Sequence, residues 1–261
     1  MTAPPPSTLK YSGRLARKGI LLEESYRIFA CWNLDQSLRE NITRIRETNP
    51  IGASNRAWLR EVTATISSRY STGDSLAPLV TLAKGGLNID TWKHCLLWHF
   101  GSCDGLFSDF VHEFLAPKIH DGIEVFTTDD AIPFVRDLMA RGIFEESLSD
   151  YGERRLARDL LRASTDFGLL KGTARREVTQ TTIPEDALLY ALYSLSEQKL
   201  SVERILDSNR WELFLLTPAQ VEHELFNLHQ FRRLHYERAG SIRELSLPHA
   251  NLMAFAQSLV A

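Results

Sequence analysis

Tyr151–Ile183, YGERRLARDLLRASTDFGLLKGTARREVTQTTI, reads as one long amphipathic helix, a tight turn and a short β-hairpin. On a helical wheel Arg154, Arg158 and Arg162 fall in one narrow arc with Arg155 at its edge, while Leu156, Leu160, Ala163 and Phe167 lie opposite. Leu161 falls near the basic arc and interrupts it. Gly168 stops the helix, and Gly172, in Lys171-Gly172-Thr173-Ala174, supplies the positive φ that a hairpin turn needs before Arg175 and Arg176. A helix followed by a basic hairpin is the reading half of a winged helix-turn-helix, in which the helix enters a nucleic-acid groove and the wing rides on phosphate. An arginine-rich helical face is also the ordinary solvated surface of a globular protein. The adjoining wing, and a second unit of similar plan, tip the reading toward binding.

That second unit follows Pro184. Glu185–Glu197 and Ser201–Asp207 read as helices, and Thr217-Pro218 opens a third with proline at its first position. Val221, Leu225 and Leu228 share one face of this third helix; Gln220, His223, Asn227 and Gln230 share the other. Amide side chains pair bidentately with adenine in a major groove, so this face has base-reading chemistry. A second hairpin is expected between Phe231 and Leu247, around Arg238-Ala239-Gly240-Ser241, bringing Arg232, Arg233, His235 and Arg238. Glu222 and Glu224 flank the polar face and would repel phosphate.

Upstream, helical periods run over Leu21–Trp32, Leu34–Glu47, Ser54–Tyr70, about Asp74 to Leu82, Asp90–Phe100 and Gly105–Ile119, with a brief strand at Ile123–Phe126. Thr127-Thr128-Asp129-Asp130 opens a helix to Arg141, and Ser149 caps the arginine helix. The expected organisation is a proline-rich tail at 1–8, an N-terminal helical domain at 9–126, and a C-terminal half at 127–261. This half holds two winged helix-turn-helix-like units, 127–183 and 185–247, and a closing helix. The fold class is mainly α: a globular multi-helix protein with two helix-turn-helix units and short β-hairpins.

The net charge of −3 over 261 residues argues against a general nucleic-acid coat, but charge is segregated. Lys and Arg number 13 against 8 acids in residues 1–100, 3 against 11 in 101–150, and 14 against 14 in 151–261. The Tyr151–Ile183 stretch carries seven basic residues against four acidic ones, and Lys10–Lys18 carries four with no acid. The acidic segment Asp104–Asp150 is expected to face away from nucleic acid and to offer a docking surface to a basic partner. Three cysteines, Cys31, Cys95 and Cys103, suit a reducing cytosol better than a disulfide framework. No signal-peptide core or membrane-length apolar run is present, so a cytoplasmic protein is expected.

Catalytic motifs fare poorly. Gly73-Asp74-Ser75-Leu76 spells the serine block of one hydrolase group, with Asp109 and His112 at the spacing of its acid and base, but both lie in helical surroundings. Asp166-Phe167-Gly168 resembles a kinase magnesium motif without its companion loops, and is better read as a helix stop. His94, Cys95, His99 and Cys103 match no strong zinc spacing. No enzyme activity, cofactor or metal is expected.

The opening YSGRLARKGILLEESYRIF at 11–29 and DLLRASTDFGLLKG at 159–172 resemble the BrxA family, small core proteins of bacterial BREX phage-defence systems. The resemblance implies an almost wholly α-helical protein with helix-turn-helix elements that binds double-stranded DNA. It also implies an accessory role beside methyltransferase, phosphatase-like and ATPase components, with no catalysis of its own. The family has further carried an inner-membrane label, which the hydropathy opposes, and a comparison with an RNA-binding antitermination factor. An RNA-binding helical protein and a protein scaffold are therefore the rival readings.

Overall fold

The computed structural model describes residues 18–261 except 71–74, 145–147, 180–181 and 241. The expected tail, the basic run from Lys10 to Arg17, and Gly73-Asp74 lie outside the described residues. The first block is helical: α1 Leu22–Ala30, α2 Leu38–Thr48, α3 Arg56–Arg69, α4 Ala77–Lys84 and α5 Ile89–Phe100. A capping box between Ser37 and Glu40 starts α2, and Asn49, at φ 47°, ends it. The cap of α3 is Asn55, one residue beyond the expected Ser54, because its side chain accepts from the Trp58 N–H.

Gly105–Ile119 was expected as one regular helix. Instead α6 Gly105–Asp109 passes through a π-helical turn, Phe110–Leu115, into α7 Ala116–His120. Pro117 has no N–H to offer the carbonyl four residues back, and the ladder widens just upstream of it. The turn keeps the Phe110 and Phe114 rings stacked at 5.0 Å. Asp104 caps α6 by accepting from the Phe107 N–H at 3.0 Å, and it is buried there. Burial pushes its carboxyl up to about 6, against the pull of that hydrogen bond and of Arg69. The folded value exceeds the ordinary 3.8, so this group's contribution to stability is present at low pH and is lost as pH rises through about 6. Asp104→Asn keeps a capping oxygen without the charge. Urea melts are therefore expected to show the variant gaining on the native chain as pH rises from about 4 to about 6; a constant difference would contradict the assignment.

The next block is β1 Val125–Phe126, α8 Thr128–Ala140, α9 Asp150–Asp166, β2 Leu170–Gly172 and β3 Arg176–Val178. The three strands form one antiparallel sheet in the order β1-β3-β2, with Phe126 opposite Arg176 and Gly172 opposite Arg176 on its other side. Thr127 and Asp130 make the capping box of α8, and Ser149 caps α9 through the Gly152 N–H. Gly168, at φ 84°, releases the chain into β2. α9 packs along α8 and onto β2. Leu161, placed near the basic arc by the wheel, is fully buried with Leu156, Ala157 and Leu160, so it leaves the outer face unbroken.

The chain then forms α10 Glu185–Ser196, α11 Val202–Leu206, a 3₁₀ turn Asn209–Phe214, α12 Pro218–Gln230, the hairpin β4 His235–Ala239 and β5 Ile242–Ser246, and α13 Leu252–Ser258. The buried side chains form one cluster running from Ile20 to Ala256. The 3₁₀ turn ties early to late chain: Trp211 and Phe214 lie 5.2 and 5.5 Å from Trp98, Arg210 covers the Trp98 ring at 4.4 Å, and His112 meets Glu212 at 2.8 Å. The boundary expected after Phe126 thus falls between β1 and its partner strand.

Candidate nucleic-acid interface

On α9 the four arginines stand outermost. Side-chain exposure is 58% for Arg154, 48% for Arg155, 53% for Arg158 and 68% for Arg162, against 14% for Asp159 and 9% for Glu153. Asp159 and Glu153 therefore lie beneath the basic layer, while Asp150 in the first turn is exposed and Asp166 near the end is 35% exposed. Asp159 sits 3.7 Å from Arg155 and 3.9 Å from Arg158, and Asp166 sits 3.8 Å from Arg162. These are loose pairs at an exposed surface, worth roughly 0–1 kcal/mol each. A phosphate offering shorter, charge-assisted hydrogen bonds can displace them.

Burial raises the Asp159 carboxyl above its ordinary range despite Arg158, Arg155 and Arg162 around it. Removing its charge leaves the arginines uncompensated, so Asp159→Asn is expected to tighten polyanion binding by roughly two- to fivefold, the scale of one exposed ion pair. The native chain should approach the variant as acid protonates Asp159, and fluorescence anisotropy followed as pH is lowered from 7 toward the ordinary carboxylate range measures both effects. Weaker binding by the variant would contradict this account.

The wing continues the basic surface. Lys171 is exposed and reaches Glu177 across the strands at 3.4 Å, while Arg175 is exposed at the turn with no ion pair among the described residues. Gly172, at φ 104°, is required here, because a Cβ on it would lie 2.4 Å from the Arg175 carbonyl oxygen. Arg176 corrects the sequence reading, which counted it among the phosphate contacts. Strand alternation turns its side chain inward: Arg176 is 6% exposed, and its Nε and Nη1 have no hydrogen-bond partner among the described residues. Burial, then the neighbouring Arg158, pulls its guanidinium below the ordinary arginine value, with Asp166 opposing.

The acidic segment also departs from expectation. Asp129, in the first turn of α8, meets Arg154 at 2.8 Å, so acid stands at the edge of the basic face. Glu113 and Asp137 are both held by Arg141, at 2.7 and 3.0 Å, and Asp104 is buried. The segment is thus partly consumed by its own structure.

The second unit is assembled as helices and a hairpin, but its cations are largely occupied. Arg233 pairs with Glu185 and Asp186. Arg238 and Arg243 reach Glu222 at 2.8 and 2.9 Å, and the Tyr236 hydroxyl donates to the same carboxylate at 2.6 Å. Glu222, read from sequence as a repulsive flank, is the post that fastens the hairpin to α12. The hydrogen bond from Tyr236 holds its carboxyl below the usual range. Arg243 was missed, although a hairpin turn at Gly240 places it opposite Arg238. Arg232 is exposed in a left-handed conformation, φ 56°. On α12, Gln220 is spent in the Thr217 capping box and Asn227 donates to Glu224 at 3.3 Å, whereas His223 and Gln230 are exposed. Arg233, Arg238 and Arg243 of the second unit are therefore held at shorter range than Arg155, Arg158 and Arg162 on α9.

Elsewhere, His112 is held by Glu212, the Ser75 hydroxyl accepts from the Ala77 N–H, and Phe167 of the Asp-Phe-Gly triplet is buried between Phe100 and Phe107. Cys95 is buried, which pushes its thiol up. Among the described residues, no group of three or more His, Cys, Asp or Glu is placed to hold a metal ion, and no helix is long and apolar enough to cross a membrane.

The chain is thus a mainly α protein with small antiparallel sheets and an arginine-faced helix joined to a basic hairpin. A sequence model of the BrxA family matches residues 9–192 of the 261, and the chain belongs to this family of BREX-associated defence proteins. The match takes in α9 and its wing and ends within α10, before α12 and the second hairpin. No curated protein matches the chain.

Proposed function

We propose that this protein is a non-enzymatic, double-stranded DNA-binding accessory of a cytoplasmic BREX phage-defence system, acting through α9 and the β2–β3 wing. The observation that carries the reading is the layering of α9, its four arginines outermost with Asp159 and Glu153 beneath them, continuous with an exposed basic hairpin. The order of the block supports it: helix, β1, α8, α9, hairpin, with a β1-β3-β2 sheet, is the plan of a winged helix-turn-helix. In that plan α9 lies in the major groove and Lys171 and Arg175 follow the backbone. Arg154, Arg155, Arg158 and Arg162 serve phosphates and guanine edges. Partners within the system, its methyltransferase, phosphatase-like and ATPase components, belong to the same proposal.

The test is competition. A helix fits the wide major groove of B-form DNA and not the deep, narrow one of A-form RNA. Unlabelled DNA duplex should displace a fluorescent duplex at lower concentration than an RNA duplex of the same sequence. Preferential displacement by RNA would transfer the reading to an RNA-binding protein, and absence of duplex binding at low salt would leave a protein scaffold.

A further inference from the structure

Helices α2 and α3, with the turn between them, line a surface groove of about 730 Å³. Arg46, Arg56 and Arg60 line it beside Thr43 and Ser54, with Glu47 as the single acid. All three arginines are exposed, and none makes an ion pair among the described residues. That is unusual in this chain, whose other arginine clusters on α9 and the second hairpin are met by carboxylates. We propose that the groove is a second binding site for nucleic-acid phosphates, used together with α9.

The walls are built to hold a shape. Asn49 clamps the connecting turn, its amide donating to the Ala53 carbonyl at 3.0 Å and its oxygen accepting the Ala53 N–H at 2.9 Å. Asn55 caps α3 through the Trp58 N–H at 2.8 Å. The Arg46 Nε donates to the hydroxyl of buried Thr63 at 2.9 Å, which fixes the arm and leaves its terminal nitrogens for a ligand. The first turn of α3 contains no acid and carries Arg56 instead, a placement that the helix dipole disfavours in the absence of an anion.

The chemistry of the lining selects the ligand. Guanidinium and hydroxyl groups without an aromatic ring suit phosphate and sugar rather than stacked bases, so the groove takes the backbone of a duplex. One helix, α3, links the groove to the end of α9. At the far end of α3, Arg69 donates to the carbonyls of Gly19 and Ile20, and Gly19 abuts Asp166 at the end of α9. The 14 residues of α3 span about 20 Å, less than the ~34 Å of one duplex turn.

This inference rests on the DNA reading above, and the experiment separates the two. Duplex binding is measured by anisotropy across a salt series for the native chain, for Arg56→Glu with Arg60→Glu, and for Arg158→Glu with Arg162→Glu. Circular dichroism melts confirm that each is folded, and Arg56→Gln with Arg60→Gln provides a milder groove variant. The groove pair is expected to weaken binding by at least tenfold at low salt, roughly, and to flatten the log-log salt slope by about 2. Native affinity and slope in the groove pair, alongside a weakened α9 pair, overturn the groove and leave the function standing. A weakened groove pair beside an unaffected α9 pair does the reverse, and a native chain that binds no duplex overturns both.

Discussion

Reversing two charges on α9, in Arg158→Glu with Arg162→Glu, is expected to weaken duplex binding more than any other surface change outside the wing. Each side chain is more than half exposed and held only by loose partners at 3.8 to 3.9 Å, so both are free to meet phosphate. Each lost contact takes away the release of about one counterion, and the slope of log affinity against log salt should fall by about 2. Affinity at low salt should drop by roughly one to two orders of magnitude, while at high salt native and variant converge. The fold should hold, because neither arginine contributes to the core. A uniformly weaker variant with an unchanged slope would mean that these residues act through packing rather than phosphate.

The second large effect concerns how α9 is held. Phe167 is fully buried directly after the helix, 5.3 Å from Phe100 and 5.4 Å from Phe107. It is the apolar pin between the end of the arginine helix and the N-terminal core. Phe167→Ala is expected to cost about 3–5 kcal/mol, since the surrounding rings can close only part of the void. In a chain of this size that corresponds to a fall in Tm on the order of 10 °C, read by circular dichroism. Phe167→Leu, which retains most of the volume, should recover the larger part. A loss below about 1 kcal/mol for the alanine variant would show that α9 is anchored elsewhere.

What could be read from sequence is what local chemistry dictates. The arginine helix shows a clean helical period, a serine cap and a glycine stop, and the hairpin is announced by Gly172 at a position that only glycine tolerates. The second hairpin was legible for the same reason, through Gly240 between residues of alternating burial. What escaped depends on partners distant in sequence. Nothing in Val125-Phe126 says that it will pair with Arg176-Glu177, and that pairing turns Arg176 inward and removes it from the exposed basic surface. Likewise Glu222 could be counted as a repulsive charge but not seen as the shared acceptor of Tyr236, Arg238 and Arg243, 14 to 21 residues away. Counting charge by segment also misplaced the acids between Asp104 and Asp150, because Asp129 is carried by α8 to the edge of α9. The groove of Arg46, Arg56 and Arg60 was overlooked, since those residues converge only when α2 and α3 fold against each other.

The central claim is that duplex DNA seats on α9 and its wing, and hydrogen exchange measured with and without a short duplex tests it most directly. Peptides covering Asp150–Asp166 and Leu170–Val178 should exchange more slowly in the complex, those covering the α12 face with its post Glu222 far less so. Protection confined to Pro218–Ser246, with α9 and the first hairpin unchanged by saturating duplex, would contradict the account.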